Sequence, residues 1–261
     1  MSSLSDFVSA APSGAVALML LVIGALFGII NTLAGGGSIL SLPALLFLDV
    51  PPHAANATNR VAGVTQTVSA VIGFWRGGAL SKDGMWTLII YAMVGGFLGP
   101  WVSLQMDQES MRTCIQICLA LIALFTLLAP ARLFRDPPPP PRSRFIQHIM
   151  GLSVAFYGGF LQAGIGLVSL YYLRFVCGYD LVRGTAMKAL FILALTLPAL
   201  GVFIWHGEVQ WWTGGCLALG SIGGAWLGVR LSLSPKGSRV IRVALPITAL
   251  LMTISLTLKS L

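Results

Sequence analysis

The stretch "NTLAGGGSILSLP", Asn31 to Pro43, lies inside a run from Phe7 to Leu48 that contains no Asp, Glu, Lys or Arg. Its apolarity reads as membrane-embedded, yet three consecutive glycines beside Asn31, Thr32 and Ser38 are poor helix material. The run is too long for one spanning helix of about 20 residues and short for two full ones. It is expected to be a hairpin of two short helices over roughly 12–49, broken at the glycines. Backbone that leaves a helix inside a bilayer must be buried in protein or face a wet cavity, because unpaired peptide groups cost several kcal/mol in hydrocarbon.

Composition extends the same conclusion to the whole chain. Charged residues make up 9% and hydrophobic ones 56%, with a mean hydropathy of +0.87, against roughly 25% charged in a soluble domain. The polar surface is too small to cover a globule in water, so an all-α polytopic membrane protein is expected. The opening "MSSLSDFVSA" lacks the basic region of a secretory signal, so the first apolar segment is expected to be retained. Cys114, Cys118, Cys177 and Cys216 show no CxxC spacing and read as packing residues, with no metal site, disulfide or cofactor implied.

Further spans are expected near 84–105, 110–131, 209–229 and 240–258, and at 54–75 and 184–205, where Arg60 and Lys188 interrupt the apolar pattern. A second Gly-broken hairpin is expected over 145–178. The basic connections are 76–83, 131–144, 174–183 and 230–242, while those at 49–55, 106–110 and 206–208 carry no basic excess. Positive charge favours cytoplasmic loops, and all four basic connections share one side only if both hairpins double back. That topology puts both termini outside.

It also makes the halves two inverted repeats, each a Gly-broken helical hairpin plus three transmembrane helices. Residues 1–130 form the first membrane repeat, 131–144 a Pro-rich basic cytoplasmic linker and 145–261 the second repeat. Gly28 matches Gly158, Thr58 matches Thr185, and the pair Gly95 and Gly99 matches Gly224 and Gly228. Those last four glycines read as close-packing positions. The linker run "RDPPPPPRSR" favours an extended spacer.

The break residues read differently. Inverted-repeat transporters aim broken-helix termini at a substrate near the midplane. Asn31, Thr32, Gly36, Gly37 and Ser38 are therefore candidate donors from the first hairpin, with Asn56, Thr58, Asn59, Arg60 and Gln66 extending the set from the next helix. Gln162, Gly164, Gly166, Thr185 and Lys188 are their candidates in the second half. Intramembrane cations cost about 2.5–3.5 kcal/mol on insertion scales, and no interior carboxylate is placed to neutralise Arg60 or Lys188. A bound anion is the expected partner, with side chains snorkelling to the interface as the alternative.

"NTLAGGGSILSLPALL", "AANATNRVAG" and "GFWRGG" resemble the first repeat of the TauE/SafE sulfite exporter family, and "GGFLQAGIGLVSL" with "GTAMKALFIL" corresponds more loosely to the second. The family's fuller glycine run and following proline are replaced here by Leu167, Val168 and Leu173. The resemblance implies transport of small sulfur-containing or organic anions, such as sulfite or sulfonates, in a bacterial inner membrane.

The leading expectation is thus a secondary transporter of a small anion by alternating access. A passive anion channel and a carrier of small carboxylates are the alternatives. An enzyme is not expected, because Ser38 has no base nearby and His53, His148 and His206 fall near segment ends. Expected partners are the anion and membrane lipids, with no nucleic acid; the net charge of +8 reflects the basic loops.

Overall fold

A computed structural model describes residues 13–128, 138–236 and 239. The helix expected near 240–258, linker residues 131–137 and both chain termini lie outside the described residues. The first half contains α1 (Ser13–Leu33), α2 (Ser38–Phe47), α3 (Pro52–Arg76), α4 (Met85–Leu104) and α5 (Gln108–Leu128). The second contains α6 (Arg144–Phe160), α7 (Ile165–Phe175), α8 (Leu181–Trp205) and α9 (Trp211–Leu233). No strand occurs among the described residues. Helices over Gly14–Leu33, Met85–Leu104, Leu181–Trp205 and Trp211–Leu233 are long and apolar enough to cross a bilayer. Their outward faces expose large apolar side chains such as Leu18, Ile90, Phe97, Leu197 and Leu219, as lipid contact requires.

The hairpins correct one expectation. Each pairs a long helix with a short one: α1 has 21 residues against 10 in α2, and α6 has 17 against 11 in α7. At 1.5 Å per residue the short members are about 15 and 16 Å long, half a hydrocarbon core of about 30 Å. The asymmetry follows from where the chain can break. Gly35 (φ +89°) and Gly164 (φ +62°) hold left-handed backbone, whereas Gly24 and Gly28 stay helical and are used for packing.

That packing is between the halves. α1 lies along α9 and α6 along α4, while α3 contacts both α8 and α9 and α4 contacts α8. The glycines sit at the closest approaches. A Cβ on Gly224 would strike the backbone of Ala25, one on Gly95 the backbone of Ala155, one on Gly99 that of Gly159 and Phe160, and one on Gly228 the Thr32 side chain. Small residues thus let membrane helices approach backbone to backbone.

The connections sort into two ends. At one end the Tyr179 hydroxyl donates to the Asp83 carbonyl at 2.5 Å, the Arg142 N–H donates to the Val176 carbonyl at 2.9 Å, and Gly77 abuts Leu233. At the other, His53 Nε2 lies 3.0 Å from the Met106 carbonyl, the Gln210 N–H donates to Thr58 Oγ1 at 3.0 Å, and Trp101 stacks edge-on against His206. The described parts of the basic connections therefore share one end, as doubled-back hairpins require.

Candidate functional site at the hairpin breaks

The two breaks meet. Gly35 and Gly166 are in backbone contact, and a Cβ on either would overlap the other's main chain. This contact brings the C-terminus of each long hairpin helix into the interior, where its last carbonyls have no intrahelical partner.

The opposite half supplies the donors. At the end of α6, Leu161 N–H bonds to Tyr157 O at 2.8 Å. The next three carbonyls go to α3: Arg60 Nη1 donates to Gly158 O at 3.2 Å, Arg60 Nη2 to Gly159 O at 2.6 Å and Asn56 Nδ2 to Phe160 O at 3.1 Å. At the end of α1, the N–H groups of Ala34 and Gly35 share Ile30 O. The carbonyls of Asn31 and Thr32 then accept from Lys188 Nζ of α8 at 2.8 and 3.0 Å. Each half's cation closes the other half's broken helix.

Neutral side chains knit these two caps together. Gln162 is bonded on all sides: its N–H donates to Asn56 Oδ1 (3.3 Å), its carbonyl accepts from Ser38 Oγ (3.1 Å), and its side chain accepts from Asn59 Nδ2 (3.3 Å) and donates to Thr196 Oγ1 (3.4 Å). Ser38 Oγ also accepts from Gly164 N–H at 2.9 Å, and Ser41 Oγ donates to Asn59 Oδ1 at 2.5 Å. Beside Lys188, Gln66 accepts from Asn31 Nδ2 at 2.6 Å and donates to Thr32 Oγ1 at 2.9 Å.

The electrostatic balance is positive. Arg60 and Lys188 are 0% and 1% exposed, and among the described residues neither has a carboxylate within ion-pair distance. Helix C-terminal carbonyls carry only about half a negative charge per helix, which leaves a surplus. Arg60 Nε has no hydrogen-bond partner, and the guanidinium carbon lies 5.1 Å from the centre of the Phe203 ring. The half-length helices α2 and α7 have Gly37 and Gly164 as N-caps with no side-chain cap, and the positive ends of their helix dipoles add to the positive potential.

Most residues singled out in the sequence converge here. Asn31, Thr32, Ser38, Asn56, Asn59, Arg60, Gln66, Gln162 and Lys188 form the network; Gly36, Gly37, Gly164 and Gly166 build its backbone and are buried. Two do not join. Thr58 Oγ1 is taken by the Gln210 N–H at the non-basic end, and Thr185 Oγ1 donates to Leu181 O within its own helix at 2.7 Å. Ser41 and Thr196 were not anticipated. Ser41 is one turn beyond Ser38 and Thr196 two turns beyond Lys188, so helical spacing was the available signal. The two cations, expected to rely on an anion, also have protein acceptors, because a helix break creates free carbonyls.

A family model described as "Sulfite exporter TauE/SafE" matches residues 20–256. The chain belongs to the TauE/SafE family. Its similarity to a probable membrane transporter protein, YfcA, of Escherichia coli K12 is 32% identity over 240 residues, covering 91% of this chain and 88% of the relative. A probable membrane transporter protein of Haemophilus influenzae is 27% identical over 239 residues, covering 90% and 92%. YunE of Bacillus subtilis, also a probable membrane transporter protein, is 25% identical over 241 residues, covering 82% and 86%. This TauE/SafE chain is an integral membrane transporter, not an enzyme.

Proposed function

We propose that this transporter is a secondary carrier of a small anion, with sulfite or an organosulfonate as the substrate class, working by alternating access between inverted repeats 1–130 and 145–261. The observation that carries the proposal is the crossed capping at the breaks: two buried cations, each on one half, each bonded to helix-end carbonyls of the other. Moving the halves apart strips those carbonyls from Arg60 and Lys188. A small anion with several acceptor oxygens can replace them, because a guanidinium and an ammonium bind oxyanions through charge-assisted hydrogen bonds. The carried anion and the conformational change are thereby linked: an empty site leaves buried cations without acceptors when the halves separate. A bacterial inner membrane, with the basic end cytoplasmic, is the corresponding location.

Labelled sulfite entering proteoliposomes preloaded with unlabelled sulfite, without a pH or voltage gradient, tests the substrate class. Saturable counterflow above protein-free vesicles is the expected result. Flux that never saturates would identify a channel, and no flux from correctly inserted protein would reject sulfite.

A further inference from the structure

A second concentration of cations lies away from the breaks, at the lipid-facing surface of the basic end. Between the ends of α3 and α9 is a cleft of about 430 Å3 lined by Ser69, Ile72, Arg76, Trp226, Arg230 and Ser234, among others. Arg76 and Arg230 occupy the last turns of their helices. The Arg230 guanidinium carbon sits 3.6 Å from the centre of the Trp226 ring, a cation–π contact that holds the group at the cleft. Among the described residues neither arginine has a carboxylate within ion-pair distance. Ile72 and Trp226 are 44% and 50% exposed, so the wall below the cations is apolar and open to the bilayer.

The other end of the molecule provides a control written into the chain. Shifting by the 129 positions that relate Gly95 to Gly224 turns Arg76 into Trp205, Arg230 into Trp101 and Trp226 into Phe97. Trp205, Trp101 and Phe97 lie on α8 and α4, which also pack on one another, and all three are exposed. The same pairing of helices therefore carries aromatic side chains at one end and two arginines at the other. Helix packing therefore does not require the arginines.

We propose that the α3–α9 cleft binds the phosphodiester headgroup of an anionic phospholipid. Two guanidinium groups supply bidentate donors for phosphate oxygens, the Ser69 and Ser234 oxygens, whose hydroxyls donate to Ile222 O and Leu231 O, can accept from a glycerol hydroxyl, and the apolar wall takes the acyl chains. Basic pockets between membrane helices on the cytoplasmic side recognise lipid headgroups in this way. A soluble phosphate would use the cations but gain nothing from the exposed Ile72 and Trp226.

Native mass spectrometry of the full-length protein in detergent, with phosphatidylglycerol and phosphatidylcholine of matched acyl chains, tests this. The wild type should retain phosphatidylglycerol preferentially, R76Q and R230Q should each weaken it about fivefold, and K82Q, a cation of the same end outside the cleft, should leave it unchanged. Millimolar inorganic phosphate should not displace the lipid. Equal retention of the two lipids, unchanged retention in R76Q, or displacement by inorganic phosphate would overturn the proposal. Should R230Q fail to elute as folded protein, R76Q decides alone, since Arg76 is exposed and, among the described residues, makes no stacking contact in the cleft.

Discussion

A buried lysine that donates to two backbone carbonyls is both a cap and a stored charge, and its substitutions separate the roles. Lys188→Met leaves the Asn31 and Thr32 carbonyls without their donor, and a destabilisation of about 1.5–3 kcal/mol is expected from the loss of charge-assisted bonds. Thermal unfolding in detergent measures it. Arg60→Lys keeps the charge but loses the planar fork that reaches Gly158 and Gly159 together. A smaller loss of about 1 kcal/mol is expected, with transport reduced but measurable in proteoliposomes. The polar residues at the breaks were legible in the sequence because they are out of place in an apolar run. Their acceptors were not: the carbonyls that Arg60 uses lie 98 and 99 positions away, and a backbone oxygen has no sequence signature.

At the scale of elements, the glycines divide by what surrounds them. Gly166→Ala would push a methyl group into the Gly35 main chain, and overpacking of this kind costs about 1–3 kcal/mol. Gly223→Ala on α9 has nothing within 4 Å of the added carbon and is expected to be neutral or stabilising by up to about 1 kcal/mol. Comparing the two thermal midpoints checks both expectations, and equal midpoints would mean that the hairpin contact is not tight. Helix positions were legible to within a few residues for α3, α4, α8 and α9, whose ends coincide with charge or proline clusters. The unequal hairpins were not, because a glycine that breaks a helix and a glycine that packs one look alike until the neighbouring backbone is known.

Across the whole molecule, the two ends differ in charge, and the distribution of lysine and arginine made that legible without any contact information. What it left open was which helices touch: GxxxG spacing announces a close neighbour but not that α1 lies on α9 and α6 on α4. The orientation can be read with single cysteines in a background lacking Cys114, Cys118, Cys177 and Cys216. In intact cells a membrane-impermeant thiol reagent should label Asp107→Cys and Glu208→Cys, and label Lys82→Cys and Arg183→Cys only after permeabilisation; the reverse pattern would place the basic end outside. The central claim is that the crossed cations hold the transported anion. Calorimetric titration of sulfite into purified wild-type and Lys188→Met protein, each verified as folded, tests it most directly. Saturable binding by the wild type that is lost in the variant is the expected result. Binding of equal affinity in the two proteins would contradict the account.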